Sequence, residues 1–270
     1  MRAAVLGKPV GHSLSPVIHN AGYRAAGLED WSYTKHECGR GDLAAFVDGL
    51  GSEWAGLSLT MPLKEVALEV ADEVTPTASA LGAANTFLLR EGSILADNTD
   101  APGLVDALRE AGLQAADSVA VIGAGGTARA ALAAAAALGA GGVDVFARRA
   151  EAVADLEDTA GALGVTVTHR EWAAVDDAAS HPLVVSTVPK GVTDEWEIPW
   201  QEGTTVFDVV YDPRPTPLLR KAASRGAVAL DGLALLLHQA VRQWTLFTGL
   251  EEAPVEAMRK ALYAEAGATR

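Results

Sequence analysis

A side chain that gives a proton in one direction of a reaction must take it back in the other, which is the work of a general acid and base. Lys64 and Asp100 carry groups suited to either task. Around them stand three polar clusters: His12-Ser13-Leu14-Ser15-Pro16, Ser58-Leu59-Thr60-Met61-Pro62-Leu63-Lys64, and Ala84-Asn85-Thr86 followed by Asp97-Asn98-Thr99-Asp100. Each lies near a predicted strand end or helix start, where α/β proteins place small ligands. Hydroxyls, one amide, one ammonium and one carboxylate suit a small molecule with several hydroxyls and an anionic group. Taken singly, the two charged residues have plainer readings: Lys64 as a solvated residue at a helix start, and Asp100 as an N-cap ahead of Ala101-Pro102.

The middle of the chain has a turn suited to a dinucleotide. Gly123-Ala124-Gly125-Gly126-Thr127-Ala128 follows a predicted strand, opens a predicted helix and fits G-x-G-x-x-A. Gly123 permits the tight turn, Gly125 lets the backbone approach a pyrophosphate, and Ala128 is small enough for close helix–strand packing. The helix start offers free N–H groups and positive partial charge. The next strand ends in Ala147-Arg148-Arg149, where NAD-binding chains place an acidic residue for the ribose 2′-hydroxyl. Two guanidinium groups there suit a 2′-phosphate, hence NADP. Asp144 falls too early in the strand for the ribose.

These residues need elements to hold them. Ala3–Leu6 reads as a buried strand, Ser15 to about Gly27 as a helix with Ser15 as N-cap and Pro16 at its first position, and Trp31–Glu37 as a strand. Asp42–Leu50 reads as a helix and Trp54–Thr60 as a strand. Asn85–Leu89 and Ile94–Ala96 read as a hairpin turning at Glu91-Gly92, followed by a helix over Ala101–Gly112. Beyond this, strands at 118–122, 143–146, 165–168, 183–187, 205–210 and 227–230 alternate with helical stretches, the first over 127–138. Such βαβ alternation specifies a parallel sheet covered on both faces. The tail is helical over Gly232–Thr248 and Val255–Ala266. The expected fold is α/β: an N-terminal α/β substrate domain (1–100), a Rossmann-type dinucleotide-binding domain (101–231), and C-terminal helices (232–270) returning to the first domain.

Composition narrows the partners. With 21 basic and 35 acidic residues among 270, the net charge is −14. Such a chain repels phosphate backbones and anionic membranes, so neither nucleic acid nor membrane is expected. Hydrophobic residues at 49% and charged residues at 21% fit an ordinary globular protein. Cys38 is the single cysteine, so no intrachain disulfide forms, and it reads as an inert thiol. No HExxH or CxxC pattern is present, and no metal is expected. The opening residues hold no apolar stretch of signal-peptide length, which leads to the expectation of a soluble, cytoplasmic protein. His12 and His19 read as packed or hydrogen-bonding groups, and Trp244 and Phe247 as apolar-face residues of a closing helix.

At these same residues the chain resembles the shikimate dehydrogenase family. The match runs over nearly the whole length: H-S-x-S-P-x-x-H-N at His12–Asn20, V/L-T-x-P-x-K at Leu59–Lys64, N-T at Asn85-Thr86, D-N-T-D at Asp97–Asp100, the glycine-rich turn, D-x-x-Y-x-P-x-x-T-x-L at Asp208–Leu218, and D-G-L-x-x-L-x-x-Q-A at Asp231–Ala240. The resemblance implies reversible, NADP-dependent reduction of 3-dehydroshikimate to shikimate in aromatic (chorismate) biosynthesis. It implies that Ser13 and Ser15 bind the substrate carboxylate, and that Thr60, Lys64, Asn85, Asp100 and Gln239 contact its hydroxyls, with Tyr211 nearby. Lys64 and Asp100 would form the catalytic pair, and Gly232 would join the cofactor-binding set. Three positions depart from the common pattern: Ser58 and Ala147 stand where many members have Asn, and Ala234 where Met is frequent. Two other readings stay open: a quinate/shikimate dehydrogenase, NAD-linked, and a non-catalytic NADP(H)-binding regulator of the same fold. The acidic residue absent after the second strand speaks against the first, and retention of both Lys64 and Asp100 against the second. A homodimer is left open as the assembly.

Overall fold

The structure, a computed structural model, describes residues 1–90 and 92–267; Glu91, half of the expected hairpin turn, lies outside them. The chain divides into two units, residues 1–103 with 236–270, and residues 104–235. The sequence division at 100/101 and 231/232 differs from this by a few residues. The reason is that both crossings fall inside continuous helices.

In the first unit the apolar run Ala3–Leu6 lies in β1 (Arg2–Gly7), which is flanked in parallel by β2 (Ser32–Glu37) and β3 (Trp54–Leu59). Helix α1 (Ser15–Ala25) connects β1 to β2, and α2 (Leu43–Asp48) connects β2 to β3. The chain continues through α3 (Ala67–Val70), β4 (Glu73–Val74) and α4 (Pro76–Leu81) to β5 (Thr86–Arg90) and β6 (Ser93–Asp97). The resulting sheet runs β2-β1-β3-β5-β6-β4 and is mixed, because β5 is antiparallel to both β3 and β6. One face packs Leu6, Leu57, Leu59, Leu63 and Phe87 into a core. Full burial of such a side chain contributes ~1.5–3 kcal/mol, more than helix propensity adds per residue.

Helix α5 (Asp100–Glu110) leads into the second unit, and α10 (Gly232–Thr248) leads back. In the first unit Phe247 of α10 lies directly over Gly56 of β3, and Trp244 packs on Gly22 of α1 beside Met258 of α11 (Val255–Glu265). Trp244 is fully buried and Phe247 nearly so, as expected of apolar-face residues.

The second unit's strands are β7 (Ser118–Ile122), β8 (Gly142–Ala147), β9 (Thr166–Glu171), β10 (Leu183–Ser186), β11 (Thr205–Asp208) and β12 (Val228–Asp231). They form one wholly parallel sheet in the order β9-β8-β7-β10-β11-β12, the doubly wound order of dinucleotide-binding folds. Alternation along β7 divides two cores: Val119 and Val121 face α6 (Gly126–Ala137), while Ala120 and Ile122 face Val184, Val206 and α9 (Pro217–Ser224). Helices α7 (Ala150–Ala154) and α8 (Glu157–Leu163) lie between β8 and β9. The alanine run of α6 is both a strong helix former and thin enough to lie close on the sheet.

Two capping expectations are corrected. Helix α1 begins at Ser15, with Leu14 as N-cap and no side-chain cap, so Ser15 is a helical residue and not the cap; its N–H donates to Ser13 Oγ at 3.3 Å. Asp100 is not a capping residue either. Asn98 Oδ1 accepts from the N–H groups of Asp100 (3.0 Å) and Ala101 (3.3 Å), which leaves the Asp100 carboxylate for other partners.

Candidate active site

In the first unit, the segment after β3 turns at Met61-Pro62, a cis peptide, and is tied back by Thr60 N–H to Leu6 O (2.9 Å), Lys8 N–H to Met61 O (2.9 Å) and Leu63 N–H to Thr60 O (2.8 Å). Ala84 N–H donates to Lys64 O at 2.7 Å, fixing the lysine backbone beside the start of β5. The side chain then reaches the start of α5: Lys64 Nζ donates to Asp100 Oδ2 at 2.6 Å. The other carboxylate oxygen, Oδ1, accepts from Asn85 Nδ2 at 2.9 Å. Both oxygens of Asp100 therefore have fixed donors. The Lys64 side chain is 37% exposed and that of Asp100 17%, so the ammonium is open to a ligand while the carboxylate behind it is shielded.

Asn85 is itself buried and held on both sides, with Oδ1 accepting from Thr86 Oγ1 (2.8 Å) and Thr99 N–H (2.8 Å). Ser13 and Ser15 sit together at the start of α1, and the Tyr33 hydroxyl donates to Ser58 Oγ at 2.5 Å. Burial pushes the Tyr33 phenol up, so it stays protonated. Gln239 lies in α10 where that helix crosses α5: a Cβ on Gly103 would fall 2.8 Å from Gln239 N, and Gln239 Nε2 donates to Leu236 O at 2.7 Å. Ser13, Ser15, Thr60, Lys64, Asn85, Asp100 and Gln239 thus all belong to the first unit. His19, close by in α1, stacks on Tyr33 with ring centroids 4.1 Å apart. Burial pulls its imidazole down to about 3, against a smaller opposing pull from Gln243.

In the second unit the glycine-rich turn sits where the strand order reverses, between β7 and β10. Gly123 adopts φ +101°, and a Cβ there would come within 2.7 Å of Thr187 Oγ1, so only glycine fits. Gly125 and Gly126 face open space, Thr127 is half-buried, and Ala128 is fully buried against β7. Free N–H groups in the first turn of α6 and the open space over Gly125-Gly126 fit a dinucleotide pyrophosphate. Arg148 and Arg149 follow β8, both exposed, and the Arg148 guanidinium lies over the Trp172 ring at 5.7 Å. Asp144 is engaged elsewhere in the unit, with Arg170 (3.4 Å) and His181 (3.4 Å).

Tyr211 and Gly232 also belong to this unit, and meet: a Cβ on Gly232 would lie 2.0 Å from Val209 O and 3.1 Å from Tyr211 Cδ1. Burial, then the neighbouring Asp212, pushes the Tyr211 phenol up. The loop carrying Tyr211 is anchored by buried Asp208, which accepts from Thr216 Oγ1 at 2.9 Å. Among the described residues no group of three or more His, Cys, Asp or Glu side chains could hold a metal ion, and no helix is long and apolar enough to cross a membrane.

Residues 5–87 match the family described as shikimate dehydrogenase substrate binding domain, and residues 232–263 match the shikimate 5′-dehydrogenase C-terminal domain. The chain is 36% identical to the shikimate dehydrogenase (NADP(+)) of Methanothermobacter thermautotrophicus, over 96% of this chain and 94% of that one. It belongs to the shikimate dehydrogenase family. Among solved structures of similar chains, the shikimate 5-dehydrogenase of Thermus thermophilus in complex with NADP(H) and shikimate is 33% identical, with a TM-score of 0.85 and 98% and 99% of the two chains covered. The quinate dehydrogenase of Corynebacterium glutamicum in complex with NAD is 30% identical, with a TM-score of 0.89 and the same coverage.

Several residues that shape this member's site escaped sequence reasoning. Asn98 could have been found, since Asn two residues before a helix start is a capping signal. Tyr33, Gln243 and Trp172 gave no local sign. Ser58 and Gln243, hydrogen-bonded at 2.6 Å, lie 185 residues apart in the chain.

Proposed function

We propose that this chain is an NADP-dependent oxidoreductase that interconverts 3-dehydroshikimate and shikimate. The observation that carries the reading is the 2.6 Å contact between Lys64 and Asp100, with Asp100 fixed from behind by Asn85. NADP, when bound, accepts or supplies the hydride. Gly123–Ala128 would hold its pyrophosphate, Arg148 and Arg149 its 2′-phosphate, and Gly232, beside Tyr211, would border it. Lys64 would give a proton to the substrate oxygen during reduction and take it back during oxidation, with Asp100 holding the ammonium in place. Ser13 and Ser15 would bind the carboxylate, and Thr60, Asn85 and Gln239 the hydroxyls. The lone buried Cys38 supports work in the reducing cytoplasm.

A quinate reading draws support from the similarity to a quinate dehydrogenase. The strand end speaks for NADP: Ala147-Arg148-Arg149 offers two cations and no carboxylate to a ribose 2′-hydroxyl. A regulator would have no use for an ordered Lys–Asp pair.

The reading is tested by Lys64→Met, which keeps side-chain length and removes the ammonium. Its kcat for shikimate oxidation should fall by ~10²–10⁴, the usual scale for a general acid or base. Near-normal kcat, with an isotope effect from C-deuterated shikimate showing chemistry to be rate-limiting, would sink the assignment.

A further inference from the structure

A buried hydrogen-bond chain runs behind the Lys64–Asp100 pair, and its donors all point one way. It begins at Tyr33, whose hydroxyl donates to Ser58 Oγ at 2.5 Å; Ser58 Oγ donates to Gln243 Oε1 at 2.6 Å. Gln243 Nε2 then donates to Asn85 O at 3.1 Å and to Thr86 Oγ1 at 2.9 Å. Thr86 passes its single proton to Asn85 Oδ1, and Asn85 Nδ2 donates to Asp100 Oδ1. Tyr33, Ser58, Gln243, Asn85 and Thr86 are each at most 5% exposed, so water does not compete for these groups.

We propose that Gln243 is a positioning residue for the reaction: acting through Thr86 and Asn85, it orients the Asp100 carboxylate and hence the Lys64 ammonium, although it touches neither. The proposal rests on Lys64 and Asp100 being the reacting pair. Its logic is one of donor direction. A main-chain carbonyl can only accept, so Asn85 O compels Gln243 to turn its NH2 inward. That NH2 occupies a lone pair of the Thr86 hydroxyl and leaves the Thr86 proton for Asn85 Oδ1. Thr99 N–H donates to the same Oδ1 at 2.8 Å, so Thr86 and Thr99 together engage the oxygen and the Asn85 amide must present NH2 to Asp100. Reversing the amide would set an oxygen against a carboxylate. The other end is fixed likewise, because the Ser58 proton goes to Gln243 Oε1. Ser58, at a position where many family members have Asn, is thereby drawn into this chain, and the partner it needs comes from α10.

Three variants read this out. Gln243→Met removes donor and acceptor. Gln243→Glu keeps size but, when ionised, offers only acceptors and draws the Thr86 proton away from Asn85. Thr86→Val is isosteric and breaks the next link. Each should lower kcat for shikimate oxidation by about tenfold to a hundredfold through misplacement of the reacting pair. The KM for shikimate and the Kd for NADP should stay within about threefold, on the scale of one lost contact. Thr86→Ser, which restores the hydroxyl, should recover most of the rate. Gln243→Met combined with Thr86→Val should be little worse than the slower single variant, since both break one line. Wild-type kcat in Thr86→Val and in either folded Gln243 variant would overturn the proposal, as would a loss confined to KM or to Tm. These outcomes are separable from the parent reading. A slow Lys64→Met beside wild-type-rate Gln243 and Thr86 variants overturns the positioning role alone, whereas a fast Lys64→Met overturns both.

Discussion

Lys64 is useful only if its ammonium is held where a substrate oxygen can meet it, and Asp100 supplies that hold with one oxygen while the other is tied to Asn85. Asp100→Asn keeps the shape but replaces a charge-assisted acceptor with an amide that must also compete for Asn85. Its kcat should fall, by about tenfold or more, and the Lys64→Met/Asp100→Asn double variant should be little slower than the slower single variant. Additive losses in the double variant would show the two residues acting separately. The carboxylate pocket is a second test at this scale. Ser13→Ala with Ser15→Ala should raise the KM for shikimate by about tenfold, the scale of one or two hydrogen bonds to a charged group, and leave NADP affinity alone. An unchanged KM would place the substrate carboxylate elsewhere.

At the scale of elements, the end of β8 selects the cofactor. Replacing Arg148 and Arg149 together by Ala should weaken NADP roughly tenfold or more and NAD far less, because only NADP has a phosphate for charge-assisted bonds. Equal losses for the two dinucleotides, measured as Kd by titration, would make the arginines a mere surface pair. The packing of α1 on β2 and α10 gives a pH prediction. His19 is buried with its imidazole at about 3 in the folded chain, against 6.5 for an ordinary histidine. Between those values the unfolded chain takes up a proton that the folded chain does not. Stability should therefore fall as pH drops from about 6.5, by at most about 1.4 kcal/mol per pH unit from this group. His19→Phe keeps a ring to stack on Tyr33 and should flatten the fall by that amount, read from urea unfolding at pH 6 and pH 4. Identical slopes in the two proteins would contradict a neutral, buried His19.

At the scale of the whole molecule, most of the strands and helices were legible, since apolar runs and glycine punctuation mark them locally. The Gly123–Ala128 turn is the clearest case: its strand, turn and helix are contiguous, and the structure supplies the φ of +101° that the first glycine was expected to permit. Sheet order was less legible, because the antiparallel placement of β5 between β3 and β6 depends on pairing across distant segments. The division between units was legible only to within a few residues, as α5 and α10 run through it without a break. The site's charged pair was readable from residue type and resemblance, whereas the Tyr33–Ser58–Gln243 chain behind it joins three segments that only folding brings together. The most direct test of the account uses the intact wild-type protein, in chelator-treated buffer, with shikimate or quinate as substrate and NADP or NAD as acceptor. The protein should oxidise shikimate rapidly with NADP, with much lower kcat/KM for the other three pairs. Activity only after metal is restored, or a preference for quinate with NAD, would contradict this.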